Sequence, residues 1–338
     1  MMNHRIVLAS RPKGEPVAEN FRLEAVAIPV PADGQVLLKT LYLSLDPYMR
    51  GRMNDGPSYA PPVQIDEVMT GRTVSEVVES KAAALSVGDV VICDAGWQEY
   101  TVADAKRVQK LDPAAAPVST ALGVLGMPGL TAYTGLLNIG QPKEGETVVV
   151  AAAAGAVGAI VGQIAKIKGC RVVGIAGGPE KCAYVVKELG FDACVDHRSA
   201  TLADDLKAAC PKGIDVYFEN VGGKVFEAVL PQLNPFARIP VCGLISGYSA
   251  TELPPQPDRT PLLMASILTK RLTFRGFIVS DYSSQYGDFR RDVSEWIREG
   301  KVKYREDVAE GIENTVTAFQ GLLKGKNFGK QLVRMAKG

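Results

Sequence analysis

Two rhythms of apolar and polar residues divide the chain. Up to residue 125 the apolar stretches are short and broken by Pro, Gly and Asp, at 5–9, 35–44, 68–79, 89–93 and 97–101. Runs of that length with turn chemistry between them predict an all-β, barrel-like domain. From Thr147 the pattern changes. Apolar, β-branched runs at 147–152, 171–176, 193–196, 214–219, 236–242 and 272–279 alternate with helical stretches near 157–168, 179–189, 201–210, 223–233, 260–270 and 286–299. Six strands with crossover helices between them predict a doubly wound parallel sheet of α/β class. After Gly300 the chain reads as strand (304–308), helix (312–324) and strand (331–335), too short to stand alone and expected to return to the first domain. The expected division is therefore 1–125, 126–299 and 300–338, with the last segment completing the first. No internal repeat is visible, and only Pro113-Ala114-Ala115-Ala116-Pro117 is briefly linker-like.

Composition removes several classes of function. A chain of 338 residues suits one large or two ordinary domains. A net charge of +1 with 22% charged residues offers no field for nucleic acid or an anionic membrane. No apolar run approaches the ~18–20 residues of a membrane span. The start, Met1-Met2-Asn3-His4-Arg5, has no apolar segment behind it, so no secretory signal is expected. Six cysteines (Cys93, Cys170, Cys182, Cys194, Cys210, Cys242) form no C-x-x-C pair and read as small buried apolar residues. A cytoplasmic enzyme is the expectation.

The first run of the alternating half carries the strongest chemical signal. Val148-Val149-Val150-Ala151 breaks into Ala152-Ala153-Ala154-Gly155-Ala156-Val157-Gly158 and then opens an apolar helix. A strand, a tight turn of small residues and a helix N-terminus let a dinucleotide pyrophosphate approach the backbone. The usual G-x-G-x-x-G is softened here to Ala153, Gly155 and Gly158, and the strand–turn–helix context supports it. Gly155, Ala156, Val157 and Gly158 are the expected pyrophosphate contacts.

The next strand end selects the dinucleotide. An NAD site places an Asp or Glu there for the ribose hydroxyls. This strand runs instead into Gly177-Gly178-Pro179-Glu180-Lys181, and the following strand ends in His197-Arg198. Compact positive charge suits a 2′-phosphate. Lys181 is the expected phosphate contact, with His197 and Arg198 beside it, and NADPH is expected over NADH. Glu180 complicates the picture, although a Glu in a first helical turn also complements the helix dipole.

The order of β domain, nucleotide domain and β return is similar to that of the medium-chain dehydrogenases/reductases. Four strings sharpen the likeness: Leu43-Ser44-Leu45-Asp46-Pro47-Tyr48-Met49-Arg50, Gly126-Met127-Pro128-Gly129-Leu130-Thr131-Ala132-Tyr133, Glu219-Asn220-Val221-Gly222-Gly223 and Leu323-Lys324-Gly325-Lys326-Asn327-Phe328-Gly329-Lys330. The chain resembles, over essentially its whole length, the zinc-independent prostaglandin reductase/2-alkenal reductase branch, including its bacterial NADPH-dependent curcumin/dihydrocurcumin reductases. That resemblance implies a GroES-like β-barrel beside a Rossmann sheet and an NADPH-dependent reductase of enones and enals. It also implies a homodimer, by analogy with related nucleotide domains.

Because the superfamily includes zinc alcohol dehydrogenases, metal ligands have to be sought. A catalytic zinc needs converging Cys, His and carboxylate ligands. The chain has two histidines, His4 and His197, and one cysteine, Cys93, in its first domain. No metal site is expected. The expected hydride acceptor is then the β-carbon of an α,β-unsaturated carbonyl, whose enolate needs a hydrogen-bond donor and whose α-carbon needs a proton. Tyr248, just past the fifth strand, is the first candidate, supported by a tyrosine at the matching place in the reductases the chain resembles. Packing alone, or proton donation shared with a cofactor ribose hydroxyl, stays open. Tyr48 is the second candidate, although a Pro-Tyr-Met turn is more often packing.

The resemblance implies further cofactor contacts. Asn220 would meet the ribose. Cys242, Gly243, Leu244, Ile245, Ser246, Gly247 and Tyr248, with Phe277, Ile278 and Val279, would flank the nicotinamide. Asn327 would arrive from the returning tail. His197 stands where mammalian relatives have a tyrosine, so Arg198 is a possible substitute for its phosphate contact. A buried asparagine satisfying loop backbone is the simpler account of both Asn220 and Asn327. The loop 54–62, the proline-rich stretch 250–261, Tyr282 and Tyr286 are expected to rim the entrance. A quinone reductase and a non-catalytic NADPH-binding protein are the alternatives.

Overall fold

The computed structural model describes residues 2–252 and 258–335, so residues 253–257 of the expected entrance rim lie outside the described residues. Two units emerge: Met1–Gly123 with Glu306–Gly338, and Val124–Arg305.

The first unit is β-rich. β1 (Met2–Leu8) pairs antiparallel with β2 (Phe21–Ala27). β3 (Gln35–Ser44) pairs antiparallel with both β4 (Thr73–Ser80) and β6 (Tyr100–Asp104), while β4 continues through β5 (Val90–Cys93) to the short β7 (Gln109–Lys110). Its apolar positions enter three clusters, one of them around Val74, Ile92 and Leu332. Val36 and Leu38 pack with Val77, Val91 and Cys93, and Leu43 joins a cluster around Trp97. Trp97 stacks on Phe21 at 5.6 Å between ring centroids and meets Phe319 edge-on at 5.3 Å, geometries favoured by the ring quadrupole. After β3 comes a short helix, α1 (Tyr48–Arg52), where the sequence reading expected a turn.

The second unit holds six strands: β8 (Thr147–Ala151), β9 (Arg171–Ala176), β10 (Ala193–Asp196), β11 (Ile214–Phe218), β12 (Leu233–Val241) and β13 (Thr273–Gly276). They run in the order β10-β9-β8-β11-β12-β13, all parallel. The chain steps outward from β8 to β10 and then jumps back to β11, which makes the β8/β11 boundary the switch point where such sheets take ligands. β8 is buried at every position, as a central parallel strand covered on both faces should be.

Helices α2 (Met127–Thr134), α3 (Gly158–Ile167), α4 (Pro179–Lys187), α5 (Leu202–Ala209), α6 (Gly223–Val229), α7 (Thr260–Lys270) and α8 (Tyr286–Arg298) belong to the same unit. On α3, an added methyl at Gly162 would lie 1.8 Å from the Phe191 ring, so glycine permits that approach.

Several expected boundaries differ, and two of the differences have a clear cause. Helix 223–233 stops at Val229 and tightens into a 3-10 turn around Pro231, whose missing N–H cannot extend an α-helix. The strand expected to reach residue 279 ends at Gly276, where its ladder to β12 ends at Val241. Phe277 and Ile278 therefore lie beyond the sheet and Val279 opens a 3-10 turn.

The chain then returns to the first unit. β14 (Glu306–Glu310) pairs parallel with β15 (Lys330–Arg334), β15 pairs antiparallel with β3, and α9 (Thr315–Leu323) lies between them in sequence. Lys330 fastens this return. Its buried ammonium lies 3.1 Å from Asp46 and donates to the Leu45 carbonyl at 2.6 Å. Burial pushes its pKa below the usual lysine value, with Asp46 opposing.

Candidate active site

The turn after β8 is built by backbone constraints. Ala152 adopts a positive φ of 53°, and the Gly155 N–H donates to the Ala152 carbonyl at 2.9 Å. A Cβ on Gly158 would fall 2.4 Å from that carbonyl oxygen, which excludes any side chain there. The alanine at the first motif position has its own explanation. Ala153 is fully buried, and a Cβ on Gly174 of β9 would lie 2.8 Å from the Ala153 methyl. The missing bulk has moved from the turn to the neighbouring strand. Ala156 and Val157 lead into α3, and the first N–H groups of a helix have no intrahelical partner.

At the end of β9 the structure brings the expected cations together. Gly178, at φ 92°, opens α4. A Cβ on Gly177 would stand 2.8 Å from His197 Nε2 and 3.3 Å from Arg198 Nη2, and one on Gly178 would stand 3.1 Å from Arg198 Nη1. Burial lowers the His197 pKa, and the positive charges of Arg198 and Lys181 lower it further while Asp196 opposes. Arg198 and Lys181 thus bring positive charge to one corner, beside a His197 imidazole held toward its neutral form. β9 itself ends on Ala176, without a carboxylate.

Sequence reasoning missed the residue that orders this corner. Asp196 Oδ1 accepts N–H bonds from both Gly178 (2.9 Å) and Arg198 (3.0 Å). Burial works to raise its pKa, but those two amides and the neighbouring positive charges hold it below the ordinary aspartate value. Its acidity and position at a strand end were visible; its backbone partners were not.

The third part of the site lies at the ends of β11 and β12. Asn220 donates from Nδ2 to the Ala151 carbonyl at 2.8 Å, tying the end of β11 to that of β8. This is the simpler of its two expected roles. Residues 242–248 follow β12, with a 3-10 turn over Ile245–Gly247. The Tyr248 hydroxyl accepts the Leu244 N–H at 3.3 Å, and a Cβ on Gly243 would approach that hydroxyl to 3.0 Å. Burial drives the Cys242 thiol up to about 12, aided by the nearby Glu219 carboxyl, so it is a poor nucleophile. Phe277 packs edge-on against Phe218 and Tyr282, with ring centroids at 6.4 and 6.1 Å. The Ile278 N–H reaches Asp281 at 3.4 Å.

Two remaining candidates belong to the other unit. Tyr48, on α1, packs beside the Trp97 core cluster, and burial followed by the charge of Asp46 raises its pKa well above the tyrosine value. Asn327 donates to the Gly329 carbonyl at 2.8 Å within its own loop. Among the described residues, no three His, Cys, Asp or Glu side chains converge as metal ligands would.

Known proteins share this arrangement. Residues 4–111 match the family described as the N-terminal domain of oxidoreductase, and residues 156–299 that described as zinc-binding dehydrogenase. The chain is 60% identical over 335 residues to NADPH-dependent curcumin reductase of Escherichia coli strain K12, spanning 99% of this chain and 97% of that one. It is 44% identical over 326 residues to prostaglandin reductase 1 of Bos taurus, covering 95% of each. The crystal structure of CurA in complex with NADPH from Vibrio vulnificus superposes with a TM-score of 0.96 at 57% identity, over 99% of this chain and 100% of that one.

Proposed function

The chain belongs to the medium-chain dehydrogenase/reductase family, and from that premise we propose that it reduces the carbon–carbon double bond of α,β-unsaturated ketones and aldehydes with NADPH. One observation carries this reading. A single sheet presents, at the carboxyl ends of its strands, a cationic corner suited to a 2′-phosphate, a turn of small residues suited to a pyrophosphate, and a tyrosine hydroxyl.

The residues present fit the cofactor. Gly155 to Gly158 would receive the pyrophosphate at the N-terminus of α3, in a turn packed so closely on the Ala152 backbone that Gly158 admits no side chain. Lys181, His197 and Arg198 would hold the 2′-phosphate. When bound, NADPH supplies a hydride for the β-carbon of the acceptor. As charge grows on the substrate carbonyl oxygen, the Tyr248 hydroxyl donates a hydrogen bond to it and stabilises the enolate. In this reading the same hydroxyl would pass a proton toward the α-carbon, a role a ribose hydroxyl can share. Residues 126–299 carry the cofactor in this scheme.

The names of the relatives support an elongated conjugated acceptor. The test is NADPH oxidation with an alkenal, an alkenone and a benzoquinone. Turnover of the first two supports the reading. Turnover of the quinone alone would make this a quinone reductase, and tight NADPH binding without turnover would make it a non-catalytic binding protein.

The proposal extends to assembly and location. β13 is the sheet's outer strand and is largely exposed. α7 buries none of its residues and exposes Leu262, Met264 and Leu268. An exposed sheet edge and exposed apolar side chains are what a partner copy would cover, which favours a homodimer joined edge to edge. A cytoplasmic location suits the six free cysteines. No helix among the described residues is long and apolar enough to cross a membrane.

A further inference from the structure

We propose that Glu219 is a positioning residue for Tyr248, its carboxyl group closing the turn from which the Tyr248 loop is suspended. The bonds run in two tiers. In the first, Glu219 Oε1 accepts from the Tyr217 hydroxyl at 3.0 Å, the Val221 N–H at 2.7 Å and the Gly222 N–H at 2.8 Å. One oxygen thereby fixes the shape of the turn after β11. In the second, that turn offers its carbonyls to the loop after β12. Glu219 O accepts Cys242 and Gly243 N–H at 3.0 and 3.1 Å, and Asn220 O accepts Ile245 N–H at 3.3 Å. Val221 O accepts the Ser246 N–H at 3.0 Å and its hydroxyl at 2.6 Å. The loop so held ends on Tyr248.

Packing leaves this arrangement little slack. Gly222 and Gly223 both have positive φ, and added Cβ atoms would lie 3.2 Å from Leu244 and 3.1 Å from Ser246. The two glycines therefore leave just enough room for the Leu244 and Ser246 side chains to pack against the turn. Asn220 carries the same turn to the Ala151 carbonyl, beside the dinucleotide turn. Glu219 links the two ends of the site without facing either.

The residue is also costly to keep. It is 3% exposed, and its Oε2 is buried without a hydrogen-bond partner. Unsatisfied buried polar atoms are few in native proteins and need a reason. Burial holds the carboxyl above the usual glutamate value against the bonds it accepts. A fold needing only apolar filling would not place a carboxyl here. A loop that must hold a hydroxyl to within a fraction of an ångström has use for one acceptor serving three donors.

The role rests on Tyr248 acting in the reduction, and the experiment separates the two claims. Glu219→Ala and Glu219→Gln are made in the wild-type and Tyr248→Phe backgrounds, and assayed with NADPH and an alkenone. Amide hydrogen exchange over residues 242–248 is followed in the NADPH-bound proteins. Glu219→Ala is expected to lower kcat by about 10- to 100-fold, with NADPH affinity within about threefold of wild type, since uniform binding is untouched. Exchange over 242–248 should quicken. In the Tyr248→Phe background the further loss should be no more than about twofold, because both changes remove the same contribution. Glu219→Gln keeps an acceptor oxygen and should restore slow exchange and most of kcat. Should Glu219→Ala fail to accumulate, Tyr217→Phe, which deletes one of the three donors, replaces it and should quicken the same amides. Unchanged exchange, fully multiplicative losses or an equal loss in Glu219→Gln would overturn the proposal. Full activity in Tyr248→Phe would instead remove Tyr248 from the mechanism, and exchange alone would then decide the role of Glu219.

Discussion

Asp196 Oδ1 accepts the Gly178 amide at 2.9 Å, so the end of β10 is joined to the residue that opens α4. The same oxygen takes the Arg198 amide. One carboxylate oxygen thus sets the backbone on both sides of the cationic corner. Asp196→Ala should weaken NADPH binding about tenfold, the loss of a charge-assisted bond, with a much smaller effect on NADH. Fluorescence titration with both cofactors checks this. Because the folded-state pKa lies below the ordinary value of 3.8, the bond's contribution to stability is full above that value. It should disappear as pH falls through the depressed folded pKa.

Lys181 and His197 should share the 2′-phosphate but differ in pH response. Lys181→Ala is expected to raise the NADPH KM by about 10- to 100-fold, since hydrogen bonds to charged groups carry that much, while leaving the NADH KM nearly unchanged. Equal effects on both cofactors would remove Lys181 from the phosphate site.

His197 starts with a lowered pKa, and a phosphate beside it must raise that pKa. Binding then takes up a proton. The sign follows: the imidazolium's contribution to affinity is full below the free-state pKa and is lost as pH rises through the bound-state pKa. Comparing NADPH dissociation constants of wild type and His197→Gln from about pH 5.5 to 8 isolates it. The 2′-phosphate titrates alike in both proteins, so parallel curves would exclude His197.

Tyr248→Phe deletes a hydroxyl and little volume. Turnover with an alkenone should fall by about 100-fold, within the range for a lost general acid or oxyanion donor, with NADPH affinity barely changed. Steady-state kinetics and a direct cofactor titration give the two numbers. An unchanged rate would leave Tyr248 as packing.

Sedimentation of the native protein should show a dimer. Placing charge on the exposed face of α7 with Met264→Lys and Leu268→Lys should shift it toward monomer, with little change in the unfolding of each chain.

What the sequence conveyed depended on whether the signal was local. The parallel strands were legible because β8, buried on both faces, appears as an unbroken apolar run. β2 was missed although Phe21-Arg22-Leu23-Glu24-Ala25 alternates: the run is short on β-branched residues, and even Leu23 stays exposed in the pairing. α2 was missed for the opposite reason: nearly every residue from Met127 to Thr134 is buried, so no amphipathic stripe exists, and Pro128 and Gly129 read as breakers. In the site, the turn glycines and the missing acid were readable in place. Asp196 and Glu219 were not, because their partners are backbone amides that only the fold delivers. Asn220 and Asn327 show the converse, polar residues whose observed bonds go to nearby backbone.

The most direct test of hydride delivery to a conjugated carbon is isotopic. An alkenone is turned over with NADPH carrying deuterium on the transferring face of its nicotinamide, and the product is analysed by NMR. The account requires deuterium at the β-carbon of a saturated ketone with its carbonyl intact. Deuterium on the former carbonyl carbon, in an alcohol whose double bond survives, would contradict it.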